Sequence, residues 1–142
     1  MRIVPFVVLA LAAPLFGGGF YLEVSSVGKP ADAVMIARLT GCHNPEEGQV
    51  EATAEGLVNG KRQTLPLSIT ALAEPGTYAV KQQWPAEGKW VVWLKAKHPS
   101  FGQATESVIA VAGNTFTRQG AIFTGGEHHV LPSQIDAMLQ GK

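Results

Sequence analysis

The feature that most constrains the fold of this chain is a series of short strand-like segments, broken by Gly, Pro or Asn about every ten residues. The clearest segment covers residues 50–55, where Val50, Ala52 and Ala54 alternate with polar residues. Alternation of this kind is typical of a strand with one buried face. Because no long helical segment separates the strands, the pattern predicts an antiparallel β-sandwich of about seven strands rather than a βαβ fold.

A first hairpin is predicted around Asn59-Gly60, since both central residues of a tight hairpin turn must accept a positive φ. The first strand ends at Val58, and the return strand covers residues 63–70. Pro66 in the return strand has no amide hydrogen, which places this strand at a sheet edge or a bulge.

A second hairpin is predicted from residues 77–83 and 89–97. Val91 and Trp93 lie on one face of its second strand, beside lysines, and the opposite face is predicted to be core. Aromatic residues are favoured at interfaces, so Val91 and Trp93 are the candidate interaction residues for a protein or glycan partner. The alternative is that a neighbouring segment such as the C-terminal helix covers this face. The predicted core positions are Trp90, Val92, Leu94 and Ala96.

Four further strands are predicted from less regular apolar patterns, and one helix follows them. Ser133, with Asp136 three residues later, resembles a capping box, and Ile135, Met138 and Leu139 share a helical face. The sandwich domain is therefore expected over residues 20–130 and the C-terminal helix over 131–142. The additional strands are predicted at residues 20–27, 33–40, 105–112 and 115–123.

Residues 1–19 have the composition of a secretory leader: a positive start at Met1-Arg2, an apolar run, and three glycines. The apolar run is short for a membrane span, and prolines interrupt it. We expect a cleaved signal peptide and an exported protein, periplasmic or extracellular. The alternative is that the leader is not cleaved and anchors the protein in the membrane. A membrane contact is expected only in that case.

The composition excludes several functional classes. The chain has 11 Lys+Arg and 11 Asp+Glu residues, whereas a nucleic-acid binder would show a basic excess or stripe. A single Cys excludes an internal disulfide framework and a Cys-rich zinc module. The sequence also has no nucleophile-elbow, Walker or Rossmann glycine pattern, so we expect a non-catalytic protein.

Two segments, residues 75–80 and 85–92, read P-G-x-Y-x-V and P-x-x-G-x-W-x-V. They resemble the hairpin of small exported bacterial immunoglobulin-like domains of the YtkA-like and FixH-like kind, and CopC-like sandwiches share this architecture. The resemblance implies an immunoglobulin-like β-sandwich of the bacterial cell envelope. It also implies a tyrosine corner at Tyr78, whose hydroxyl would bond to the backbone. Metal handling in CopC-like proteins depends on N-terminal histidines, and residues 20–41 contain none.

The residues that could hold a metal ion are few. Cys42 and His43 are adjacent in a polar loop, and His98 or His128 could supply a further ligand for copper or zinc. The four residues before His43 also resemble a lipobox, but charged residues separate them from the apolar run. The first hypothesis is therefore a binding module without a cofactor, in which Cys42 is inert. The alternative is a periplasmic copper- or zinc-binding protein.

Overall fold

The structure, a computed structural model, describes residues 19–142. The predicted leader, residues 1–19, lies outside the described residues except for Gly19. No helix in the described part is long and apolar enough to cross a membrane. Its elements are β1 (Tyr21–Ser25), β2 (Ala33–Thr40), a short 3-10 helix (Pro45–Glu47), β3 (Gln49–Val58), β4 (Lys61–Leu67), β5 (Ile69–Ala71), β6 (Thr77–Lys81), β7 (Lys89–Lys97), β8 (Thr105–Ala112), β9 (Thr115–Thr124) and α1 (Pro132–Gln140).

The strands form two antiparallel sheets that pack face to face. The smaller sheet has the order β1-β2-β6-β5, and the larger one has the order β4-β3-β7-β8-β9. The prediction of an all-β sandwich with one short C-terminal helix is confirmed at this level. The described residues hold nine strands rather than about seven. One reason is that the return strand predicted over 63–70 breaks at Ser68, so that β4 belongs to one sheet and β5 to the other.

The first predicted hairpin is confirmed. Asn59 and Gly60 join β3 to β4 with φ values of 49° and 76°, as a tight turn with two left-handed residues requires. Pro66 lies in β4, which is the edge strand of the larger sheet, so its missing amide hydrogen costs no ladder bond.

The second predicted hairpin is wrong. β6 pairs with β2 and β5 in the smaller sheet, whereas β7 pairs with β3 and β8 in the larger one. The connection between them contains Trp84, which is 3% exposed and packs in the core between the sheets. Because Trp84 is buried between the sheets, the segment that contains it crosses from the smaller sheet to the larger one. The strands β6 and β7 therefore do not pair with each other. The predicted core face of β7 is nevertheless confirmed, since Trp90, Val92, Leu94 and Ala96 are all buried.

Tyr78 anchors β6 to a distant part of the chain. Its hydroxyl donates a 3.4 Å hydrogen bond to the carbonyl of Gly48, thirty residues upstream. Gly76 lies close by, and a Cβ at that position would come within 2.6 Å of Pro45. The tyrosine therefore links β6 to the turn that leads into β3.

The helix α1 begins at Pro132, with Leu131 as its N-cap. The Leu131 N–H donates to the Gln134 side-chain oxygen at 2.8 Å, so the predicted cap at Ser133 is wrong. The proline explains the difference, because the first helical position needs no amide hydrogen. Ile135 and Leu139 are buried, as predicted, against the outer face of the larger sheet.

Candidate functional site

The predicted interaction residues lie beneath the C-terminal helix. Val91 is 2% exposed and packs in a second apolar cluster with Ile135 and Leu139 of α1. Trp93 is half-buried at the margin of the same cluster. The chain's own helix thus occupies the face that these two residues were expected to offer to a partner.

A buried carboxylate fixes the approach to this helix. Glu106 of β8 is 1% exposed, and its Oε2 accepts a 2.9 Å hydrogen bond from the backbone N–H of Val130. Its Oε1 accepts a bond from the Trp93 indole N–H at 3.2 Å and lies 3.4 Å from the Lys95 ammonium. Because a buried carboxylate is costly unless it is paired, these partners tie the segment before α1 to the sheet. The sequence signal for this anchor is a carboxylate inside a predicted strand, directly before the run Ser-Val-Ile-Ala-Val.

Among the predicted metal ligands, His98 is committed to structural hydrogen bonds. Its Nδ1 accepts from the Ser100 N–H at 3.1 Å, so its Nε2 carries the hydrogen and donates to the Asn44 carbonyl at 3.0 Å. The ring is buried beside Phe20 and Phe101. Both ring nitrogens are therefore occupied.

The other predicted ligands are not assembled into a site. Cys42 is partly buried against the main core, whereas His43 and His128 are exposed. Within residues 19–142, no group of three or more His, Cys, Asp or Glu side chains is arranged to hold a metal ion. The copper or zinc site stays a prediction.

A cleft that the sequence did not predict opens along one side of the sandwich. We call it the β1–β9 cleft; it is lined by residues 21–23 of β1, 105–107 of β8, Arg118, and residues 123–125 at the end of β9. Its volume is about 380 Å³, and an adjoining cavity of about 470 Å³ shares Tyr21, Thr105 and Gly125 with it. The cleft lies between the edge strands of the two sheets.

Phe123 gives this cleft an apolar floor. It pairs with Ser107, whose hydroxyl points inward to the Leu22 carbonyl of the other sheet, so Phe123 also belongs to the inner face of the larger sheet. Residues directly opposite in a ladder point to the same side. Yet Phe123 is 49% exposed, unlike the buried inner residues of β7 and β8. The smaller sheet leaves this part of β9 uncovered.

A bulge in β9 supplies a charge to the same cleft. The register between β8 and β9 shifts between Val108 and Ala110, so residues 118–121 stand opposite Ile109 alone. Bulges of this kind redirect side chains and occur next to functional sites. Arg118, the first residue of the bulge, lines the cleft. The sequence carries no local signal for this site, because the cleft forms only where strands from opposite ends of the chain come together.

Comparisons with protein-family models, with curated proteins and with solved structures found no match for this chain.

Proposed function

We propose that this chain is an exported, non-catalytic immunoglobulin-like binding module of the bacterial cell envelope, and that it binds its partner in the β1–β9 cleft. The observation that carries the proposal is Phe123, an inner-face residue of the sandwich that is half exposed. An apolar side chain left uncovered at the floor of a cleft favours the binding of a ligand or partner there, because its burial is favourable.

The strand order supports the immunoglobulin-like part of the proposal. With β1 to β8 lettered in chain order as A, B, C, C′, D, E, F and G, the smaller sheet has the order A-B-E-D and the larger one C′-C-F-G. β9 is then an additional strand beside G. The export part rests on the composition of residues 1–19, and mass spectrometry of the mature protein is expected to find an N-terminus near residue 20.

The cleft is tested by screening the protein against peptide and glycan arrays and measuring the hits by calorimetry. For a hit, the change Phe123→Ser is expected to weaken binding about tenfold or more, since it removes the central apolar contact. The matched control is Val27→Ser, which alters an equally apolar residue that is 81% exposed and lies outside the cleft. Ligands whose affinity is the same for wild type and Phe123→Ser would overturn the assignment of function to the cleft.

A further inference from the structure

We infer that the partner bound in the β1–β9 cleft is an acidic glycan, that is, a chain of sugars that carries uronic acid carboxylates. This inference rests on the binding-module function proposed above, and it names the chemistry of the partner. Its basis is two exposed aromatic side chains in the cleft, walls whose backbone carbonyls are already bonded, and a cation without an ion pair.

Two exposed aromatic side chains line the cleft. Phe123 of β9 is 49% exposed, and Tyr21 of β1, on the other wall, is 63% exposed. Among residues 19–142, four large apolar side chains are exposed, and these two share one cleft. Single exposed apolar residues are normal on a protein surface, whereas grouped ones mark binding sites. The walls of the cleft therefore offer aromatic ring surface to a ligand.

Both rings are positioned by the fold itself. The Tyr21 ring lies against Gly41, where a Cβ would come within 3.2 Å of it. Phe123 is held in the ladder between β8 and β9, opposite Ser107. Side chains that are already positioned lose less conformational freedom when a ligand binds, so less of the interaction energy is used in ordering them.

The backbone carbonyls that face the cleft are already bonded. The Leu22 carbonyl of β1 accepts the Ser107 hydroxyl at 3.4 Å. The Thr124 carbonyl of β9 accepts the Thr105 hydroxyl at 2.9 Å. β8 pairs with β7 on one side and with β9 on the other. Because an extended peptide is recognised largely through main-chain hydrogen bonds, these walls disfavour a peptide strand and leave recognition to side chains.

A sugar ring is complementary to an exposed aromatic ring. One face of a pyranose presents C–H bonds, whereas its rim carries hydroxyl groups. The negative π face of a phenyl or phenol ring attracts these slightly positive hydrogens, and the rim stays free to bond to polar side chains. An aliphatic peptide side chain has no such need for a flat surface. The aromatic lining therefore favours a glycan over an apolar peptide.

The charged side chains of the cleft indicate that the glycan is acidic. Arg118 and Glu23 line the cleft, and neither forms an ion pair with any of residues 19–142. Glu106, the third charged lining residue, is buried and holds the segment before α1. A guanidinium binds a carboxylate with two parallel hydrogen bonds. A uronate carboxylate therefore binds Arg118, and sugar hydroxyls donate to Glu23.

The available space fits more than one sugar unit. The cleft, of about 380 Å³, adjoins the cavity of about 470 Å³ with which it shares Tyr21, Thr105 and Gly125. Both volumes fall within the range of about 300–1,000 Å³ that ligand pockets occupy. A linear glycan that passes Tyr21 therefore places neighbouring sugar units in the two spaces.

The test is calorimetric titration of the full chain with defined tetrasaccharides of galacturonate, glucuronate or mannuronate. At least one of them is expected to bind with a dissociation constant below about 1 mM. Its methyl ester keeps the same sugar units but has no negative charge, and it is expected to bind about tenfold more weakly. Equal affinities for the acid and the ester would overturn the requirement for an acidic group.

Two substitutions at Phe123 separate ring stacking from simple apolar burial. Phe123→Tyr keeps an aromatic ring and is expected to bind the tetrasaccharide within about threefold of the wild type. Phe123→Leu keeps an apolar side chain without a ring and is expected to weaken binding about tenfold. A Leu variant that binds as tightly as the wild type would overturn stacking on this residue.

A charge removal tests the assignment of the carboxylate. Arg118→Gln is expected to weaken binding of the uronate about tenfold and to leave the affinity for its methyl ester unchanged. The control Lys61→Gln removes one positive charge from β4, at the opposite edge of the larger sheet, and is expected to leave both affinities unchanged. An Arg118→Gln variant that binds the uronate like the wild type would overturn the assignment.

The outcomes also separate this inference from the proposed function. Failure of every uronate to bind would overturn the acidic glycan. A peptide or a neutral glycan that then binds in a Phe123-dependent manner would leave the binding module supported. Ligands whose affinity is unaffected by every substitution at Phe123 would overturn both.

Discussion

At the scale of single residues, the core contact between Gly56 and Trp90 shows how closely the larger sheet is packed. The two residues are directly opposite each other in β3 and β7. A Cβ at Gly56 would come within 2.4 Å of the Trp90 ring, which lies flat over the glycine. The indole N–H is fixed at the same time by a 2.8 Å hydrogen bond to the Glu87 carbonyl. The ring therefore cannot move away without losing a bond.

The change Gly56→Ala is expected to destabilise the fold by about 1–3 kcal/mol, because an added methyl group in a filled core forces side chains or backbone to shift. Urea denaturation followed by circular dichroism measures the free energy of unfolding. Gly102→Ala is the matched control, since a Cβ there meets nothing within 4 Å. Equal stability of the two variants would contradict the packing described here.

At the scale of elements, α1 behaves as a cover for the outer face of the larger sheet. Its apolar residues shield Val91 and Val108, and the Arg62 guanidinium of β4 lies 2.9 Å from the Asp136 carboxylate on the helix. That exposed ion pair contributes little by itself. The stronger attachment is the hydrogen bond between the Val130 N–H and the buried Glu106 carboxylate, because a charged and buried acceptor is costly to leave unpaired.

The change Glu106→Gln is expected to destabilise the protein by about 1–3 kcal/mol, with the largest effect on α1, because a neutral amide cannot satisfy the same set of donors. Hydrogen exchange of the α1 amides measures the local opening. Glu127→Gln, at an exposed position close by, makes the same chemical change and serves as the control. Unchanged exchange rates for α1 in Glu106→Gln would show that the carboxylate does not anchor the helix.

At the scale of the whole molecule, the sandwich keeps the predicted metal ligands in separate roles. His98 closes one end of the core through bonds to Ser100 and Asn44, Cys42 packs against the core, and His128 is solvent-exposed. A tight site for copper or zinc needs several such groups at ligand distance from one point.

We therefore expect Cu(I), Cu(II) and Zn(II) to bind with dissociation constants weaker than about 10 μM in calorimetric titration. Cys42→Ser and His43→Ala are expected to titrate like the wild type. Stoichiometric binding at nanomolar concentration that Cys42→Ser abolishes would reinstate the alternative of a metal-binding protein.

Much of the local structure was predictable because it depends on neighbours in sequence. The Asn59-Gly60 turn, the edge position of Pro66, the bounds of β2 and β8, and the apolar face of α1 all follow from side-chain periodicity and turn chemistry. These are properties of one segment at a time, and tertiary contacts here reinforced them.

What the sequence by itself determined is therefore a set of antiparallel strands with one apolar face each, and a helix with an apolar stripe. Which strands are neighbours was decided only in the tertiary structure. There β6 and β7 belong to different sheets, with Trp84 buried between them. The helix α1 covers Val91 and Trp93. The physical reason is that burial is non-directional, so an apolar face does not specify its partner. The β1–β9 cleft arises in the same way, because strands from opposite ends of the chain form its walls.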